Sequence, residues 1–457
     1  MSGEKICIAG GGLVGSLLSI ILAKKGYEVV VFEKRPDMRR ELSGASRSIN
    51  LVISDRGWKA LRKAGIQEEI EPITIPVFGR MTHDEEGNQK YLRYSVKNKA
   101  IYSVSRGELN AKLISIAEKF PNVTFHFNEK CIACDFDQPE IDFENNETKK
   151  VTRVNADVIF GADGANSIVR AQLHKHLTSH SDGENKNIYC NENYIDHGYK
   201  ELIIPPNEDS TWKLDKSALH IWPRKQFMLM ALANLDGGFT CTLFFPFKGD
   251  RSFESIQTKD ELMGFFEEVF PDAIPIMPTL EQDYFANPAS NLVIVKCEPW
   301  TYQGKAALIG DAAHAIVPFY GEGMNCGFED CRVLDELIDE CPDNWEEILS
   351  QFGAMRKPNG DAIADLSLRN FIEMRDLVSD PKFLLRKKIE GKIHSKFPDK
   401  WIPLYSQVKF SEIPYADALK KGQEQDEIME AILSIDGIEH SWDSDEMEGR
   451  IMQMMGL

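Results

Sequence analysis

The chain has 457 residues, 42% of them apolar and 27% charged, the balance of a soluble globular protein with room for two or three domains. Asp and Glu number 72 against 53 Lys and Arg, and the resulting formal charge of −19 excludes a general attraction to nucleic acid or anionic lipid. No apolar run is long enough to span a bilayer, the N-terminus is too short and polar for a signal peptide, and nine scattered cysteines form no disulfide framework, so a cytoplasmic protein is expected.

Residues 5–34, KICIAGGGLVGSLLSIILAKKGYEVVVFEK, read as strand, helix and strand. Gly10-x-Gly12-x-x-Gly15 lies at the first junction, and Glu33 ends the second strand. In such a unit Gly10 permits the tight turn, Gly12 lets the backbone approach a pyrophosphate, and Gly15 lets helix pack on strand. The helix N-terminus favours the phosphates through its unpaired N–H groups and dipole, and Glu33 is placed to accept from a ribose hydroxyl. The plainer alternative is a glycine-rich turn in an ordinary parallel sheet.

A basic, serine-rich connection (35–47) leads to SINLVIS (48–54) and a helix over 55–64; polar loop and short apolar runs continue to Ile101. A helix follows Ser105, with Leu109, Leu113, Ile116 and Ala117 at helical spacing. Strands are expected at 123–127 and near Ile132 and Ile141, then a buried strand DVIFGAD (157–163) and a helix over 166–175. Strand alternation in KCIACDF sends Cys131 and Cys134 to opposite faces, so no metal or redox role is expected there.

After a polar loop (179–187), alternating runs at 200–204, 218–222, 227–232 and 239–245 predict an antiparallel sheet, with a helix at 259–270. The chain then returns to its first fold through the buried strand 305–310, ended by Asp311, and is helical beyond Gly323, with long stretches at 328–340 and 345–377. The expected division is a discontinuous domain over 1–188 and 296–340, a sheet domain over 189–295, and a helical region over 341–457. Within that last region, residues 423–450 hold ten acids against one base and read as a solvated helical surface.

Three separated motifs point at one extended dinucleotide. The Gly10 unit is the first. The second, DVIFGADGANSIVR (157–170), delivers Asp163 and Gly164 to a turn ahead of Ser167 and Arg170. The third, LIGDAAHAIVPFYGEGMN (308–325), places Asp311 at a strand end for a second ribose, with Gly321 and Gly323 just ahead of a helix. Strand C-terminal ends line the ligand crevice of an open parallel sheet, and the helix start at 323–325 can hold the anionic side of an isoalloxazine.

With GxGxxG, DG and GD motifs in that order, residues 5–340 resemble the single-component flavin-dependent aromatic hydroxylases of the para-hydroxybenzoate hydroxylase type. The resemblance implies an α/β fold: a Rossmann-like FAD-binding domain (GR2-type flavoprotein) with an inserted antiparallel β-sheet substrate domain and a helical C-terminal region. It implies FAD as cofactor, with NADPH, which visits without a Rossmann domain of its own, and O2 as co-substrates. The flavin performs the chemistry, so no catalytic side chain and no metal are implied. The implied cofactor contacts are Gly10, Gly12, Val14, Gly15, Glu33, Arg35, Val52, Arg106, Asp163, Asp311, Gly323, Met324 and Asn325.

GRMTH (79–83), HGYKEL (197–202), PFYGEGMNCGFED (318–330), NFIEM (370–374) and WIPLYS (401–406) resemble a narrower branch of that family whose substrate is an aromatic amino acid. In that branch Arg80 and Tyr94 hold the amino acid carboxylate, and Asn370 and Tyr405 complete the pocket. A planar guanidinium suits a carboxylate, which it grips with paired hydrogen bonds. Taken alone, Arg80 reads as a surface arginine. Phe239, Phe244, Pro318 and Phe319 are candidates for an apolar wall over the substrate ring and are equally readable as core. His314 reads as a packed, hydrogen-bonded structural histidine.

Two departures stand out. Glu322 replaces the family's usual Gln and adds negative charge where reduced flavin becomes anionic, unless a cation pairs with it. This leaves open an FAD-bound module without turnover, beside the nearer alternative of the same chemistry on another anthranilate-like or phenolic ring. The chain also ends IMQMMGL behind acidic residues, where eukaryotic members carry a hydrophobic anchor, so an unanchored protein is expected.

Overall fold

In the computed structural model, which describes residues 3–40, 49–94, 99–180, 188–374 and 380–455, one register decides where everything else lies. The predicted N-terminal unit forms as strand Lys5–Ala9, helix Leu13–Lys24 and strand Glu28–Glu33. Ala9 pairs in parallel with Gly161 on one side and Phe32 on the other, and Gly161 pairs with Leu308. Four strands therefore end level, and the residues at or just past their ends lie side by side at one sheet edge: Gly10, Glu33, Ala162 with Asp163, and Gly310 with Asp311.

These strands belong to a six-stranded sheet in the order Thr301–Tyr302, Ala306–Leu308, Val158–Gly161, Lys5–Ala9, Glu28–Glu33, Val123–Phe127, parallel except for the first. Ile6, Ile8, Val29 and Val31 are wholly buried and pack with Leu17, Ile20 and Leu22 of the first helix in the largest core. Each such side chain stabilises the fold by roughly 1.5–3 kcal/mol.

A small antiparallel sheet of Glu129–Asp135, Glu140–Asn145 and Val151–Asn155 flanks it. Here one expectation fails: Cys131 pairs with Phe143 and Ala133 with Asp142, so Ile132 is an extra residue in a β-bulge. The bulge cancels the alternation, and the Cys131 and Cys134 sulfurs lie 3.8 Å apart. The contact with Cys131, followed by burial, pushes the Cys134 thiol up, away from thiolate.

The predicted antiparallel sheet has seven strands, in the order Ser290–Glu298, Tyr189–Ile204, Phe239–Pro246, Phe227–Ala233, Ala218–Arg224, Gly79–His83, Gln89–Arg93. Its last two strands come from a stretch that reads as loop, because Gln89–Arg93 is exposed at every position and shows no alternation. Gly79–His83 joins in parallel to Ala218–Arg224, with Arg80 opposite Leu219. The sheet has two different faces. Phe239, Cys241, Leu243 and Phe245 face the core beneath helix Lys259–Val269, whereas Thr240, Thr242 and Phe244 face a cavity.

Helices Gly323–Glu340, Trp345–Ile372, Pro381–Lys396, Leu404–Lys409 and Tyr415–Leu433 follow. The long helix is α-helical through Ile372 and continues as a π turn over 373–374, and residues 375–379 lie outside the described set, as do 41–48 of the basic connection, 181–187 of the polar loop and the last two of the C-terminal IMQMMGL. The acids of 423–450 are not simply solvated: Asp426 pairs with Arg369 at 2.6 Å and with Arg386, and Glu448 with Lys392 at 3.1 Å. No helix among the described residues is long and apolar enough to cross a membrane.

Candidate active site

One cavity of about 790 Å³ runs from the level strand ends to the inner face of the seven-stranded sheet. At its first end Gly10 has φ +108°, and a Cβ there would lie 2.3 Å from the Ala162 carbonyl oxygen. A Cβ on Gly15 would lie 2.0 Å from the Gly10 oxygen, whereas one on Gly12 would meet nothing within 4 Å. Gly10 and Gly15 are thus fixed by backbone packing, and Gly12 leaves a bare approach to the N-terminus of helix Leu13–Lys24.

Glu33 closes this end. Its carboxylate accepts from the Gly11 N–H at 2.9 Å and from Arg35 Nε at 2.8 Å, and its remaining lone pairs can accept a hydroxyl. Arg35, Arg106, Val14, Val52, Asp311, Gly323 and Met324 also line the cavity. Asp163 lines it too, but its carboxylate caps the next helix, accepting from the Ile168 N–H at 2.7 Å and from Ser167. Burial pushes the Asp163 carboxyl up against those hydrogen bonds.

Two expected contacts are set back from the wall. Gly15 lies in the core, and Asn325 donates to the Val52 and Gly321 carbonyls at 2.8 and 3.0 Å while accepting from the Ser54 N–H at 2.9 Å. Asn325 thus shapes the turn that lines the site. The open backbone at Gly12, the acid at the strand end and the length of the cavity fit an FAD.

At the far end Arg80 projects from the sheet with its guanidinium carbon 4.6 Å from the Tyr405 ring centre and 5.6 Å from that of Tyr94. Arg80 Nε and Tyr94 Oη are buried without a hydrogen-bond partner in the protein. Leaving a buried polar group unpaired costs about 1–3 kcal/mol, which a carboxylate bound at Arg80 would recover for that residue. Burial, reinforced by Tyr405, pushes the Tyr94 phenol well up, so it stays a protonated donor.

Arg80, Tyr405, Phe244, Pro318 and Phe319 line the cavity, with the Phe244 and Phe319 rings 4.9 Å apart. Tyr94 stands behind, its ring stacked 5.7 Å from that of Tyr405. Asn370 does not reach the cavity: it donates to the Phe319 carbonyl at 2.8 Å and so positions the wall. Phe239 is core, on the opposite face of its strand. His314 is buried against Asp330 at 2.6 Å, in a cluster with Cys326 that the Arg356 guanidinium fills.

Lys409 went unrecognised in the sequence. It lines the cavity, and its Nζ lies 2.6 Å from Glu322 Oε1, supplying the partner for the buried acid. Tyr415 donates to the other Glu322 oxygen at 2.6 Å. The one sequence signal is a lysine set between Val408 and Phe410, an unusual place for an exposed charge.

A parallel sheet whose strand ends meet a dinucleotide-sized cavity, continued into a chamber with aromatic walls and a lone guanidinium, defines an FAD-dependent aromatic monooxygenase. Residues 4–203 match a family model described as FAD binding domain. The fold is similar to the tetrameric form of 2-methyl-3-hydroxypyridine-5-carboxylic acid oxygenase, at a TM-score of 0.66 and 21% identity over 83% of this chain and 95% of that one. Relatives named kynurenine 3-monooxygenase include one from Christiangramia forsetii, 49% identical over 100% of both chains. Another, from Dictyostelium discoideum, is 44% identical over 94% of this chain and 93% of its own. The chain belongs to the kynurenine 3-monooxygenase family.

Proposed function

We propose that this enzyme hydroxylates L-kynurenine to 3-hydroxy-L-kynurenine, consuming NADPH and O2. The observation that carries the reading is the unpartnered Arg80 Nε, held against tyrosine rings at the far end of a cavity that begins at Gly12. Whole-length relatives of that name support the substrate.

Gly10, Gly12 and the helix start at Leu13 would hold the pyrophosphate of FAD, Glu33 its ribose, Asp311 its ribitol, and the Gly323–Met324 turn its ring, with Arg35, Arg106, Val14 and Val52 along its length. When bound, FAD supplies the redox and oxygen-transfer chemistry, drawing electrons from NADPH. Arg80 grips the substrate carboxylate, and Tyr94 and Tyr405 hold the guanidinium in place. Phe244, Phe319, Met230 and Leu232 line the cavity and would enclose the aromatic ring and exclude water, while the ring amine activates the carbon ortho to it that is hydroxylated. No dedicated side-chain nucleophile is needed. Pairing of Glu322 with Lys409 removes the feature that favoured a module without turnover. A cytoplasmic setting belongs to this reading, supported by nine free thiols.

Substituting Arg80→Ala tests the assignment. The KM for kynurenine, read from NADPH oxidation, is expected to rise more than about tenfold, because the carboxylate loses its charge-assisted partner. An unchanged KM would place Arg80 outside the substrate site, and equal stimulation by phenolic acids lacking an amino acid head would point to a different ring.

A further inference from the structure

Glu322 lies between Gly321 and Gly323, which both line the cavity, yet its own side chain turns inward and is fully buried. Its carboxylate meets Lys409 Nζ at 2.6 Å, Tyr415 Oη at 2.6 Å and Ser54 Oγ at 3.3 Å. Lys409 is 1% exposed, also donates to the Gly321 carbonyl at 3.1 Å, and lines the same cavity. Other charges lie nearby: Arg56 pairs with Glu329 at 2.9 Å while lying over the Tyr415 ring, and its guanidinium, pushed down by burial, is held up by Tyr415, Glu329 and Glu322; Arg356 pairs with Glu329 and Asp330. Lys409 is the direct ion-pair partner of Glu322, in the wall beside the Gly321–Gly323 turn.

A buried ion pair is weak evidence for stability, since two apolar residues often hold such a place at least as well. What it does supply is a charge fixed in position within a medium that screens poorly. We infer that the pair balances the charge felt by the flavin: Lys409 sets a cation beside the turn that faces the ring and Glu322 cancels it, so that neither charge displaces the reduction potential of the bound cofactor while both are present. Both act as positioning residues, and the inference rests on the flavin reading of the cavity.

The test is the two-electron midpoint of the FAD-loaded protein, measured by reductive titration against a reference dye. Glu322→Gln leaves the Lys409 cation uncancelled and favours the anionic reduced form. Reduced FAD is expected to be held about tenfold more tightly relative to oxidised FAD, a positive shift of about 30 mV. Lys409→Gln leaves the Glu322 anion, still bonded to Tyr415 and Ser54, and moves the midpoint the opposite way. Lys409→Arg keeps the charge and is expected to leave the midpoint in place, and the doubly neutral E322Q/K409Q is expected to return it towards wild type.

A purely structural role would weaken FAD retention in both single variants without shifts of opposite sign. Either single variant that holds FAD is enough to decide: a midpoint unmoved, or moved against the stated sign, overturns the inference. A protein that stays colourless with added FAD would instead remove the flavin reading itself.

Discussion

Phe239 and Phe244 lie on one strand, and the period of two assigns them opposite tasks. Phe239 is fully buried among Cys241, Leu243 and Phe245, while Phe244 faces the cavity beside Phe319. Phe239→Ala is expected to cost about 3–5 kcal/mol in denaturant unfolding and leave the substrate KM near wild type. Phe244→Ala is expected to raise KM and lose less stability; the reverse pattern would mean that the sheet presents its other face. Parity along 239–245 was open to the sequence, but that Thr240, Thr242 and Phe244 face a ligand cavity rather than solvent was not, because a mixed polar and aromatic face reads the same either way. The partner of Glu322 was illegible for another reason: Lys409 is 87 residues further on, and no local pattern links them. Asn370 went to the pocket by resemblance alone, and the rotation of its helix turns it onto the Phe319 carbonyl instead.

At the scale of elements, helix Pro381–Lys396 and the acidic helices beyond it are clamped by charge as well as by the Ile389, Ile393, Met429 and Ile451 cluster. Burial pushes the Asp426 carboxyl up, but Arg369 and Arg386 outweigh it and hold the group below its usual range; Lys396 and Lys392 do the same for Glu448. Because the folded pKa is depressed, this stabilisation is present above the unfolded value of about 4 and is lost as pH falls through the folded one. Amide exchange in Tyr415–Leu433 is therefore expected to accelerate below about pH 4 while the six-stranded sheet stays protected, and Asp426→Asn should reproduce part of the effect at neutral pH. Exchange that rises in both regions together would show that the clamps contribute nothing. A run of acids announces itself in a sequence, whereas the basic face of Pro381–Lys396 that receives it becomes visible only when the helices are placed. The same holds for Gly79–His83, whose parallel partner Ala218–Arg224 lies far along the chain, and for the bulge at Ile132, where a single extra residue reverses the pattern.

On the scale of the molecule, function follows from strands that end level. Gly10, Asp163 and Asp311 are far apart in sequence, but the Ala9–Gly161–Leu308 register brings them to one edge, and each was legible because glycine and acid at a buried strand end form a local signal. The substrate chamber is assembled from elements without such a signal: Arg80 from one sheet, Phe319 from the short 3-10 helix Pro318–Tyr320, Tyr405 and Lys409 from the helix Leu404–Lys409. The measurement that reaches the central claim most directly is the yield of hydroxylated product against NADPH oxidised by the purified, FAD-loaded protein, with and without L-kynurenine. The expected result is a yellow protein whose NADPH oxidation is accelerated by kynurenine, with 3-hydroxykynurenine formed in step with the NADPH consumed. A protein that binds no FAD, or one that oxidises NADPH without forming that product, would contradict it.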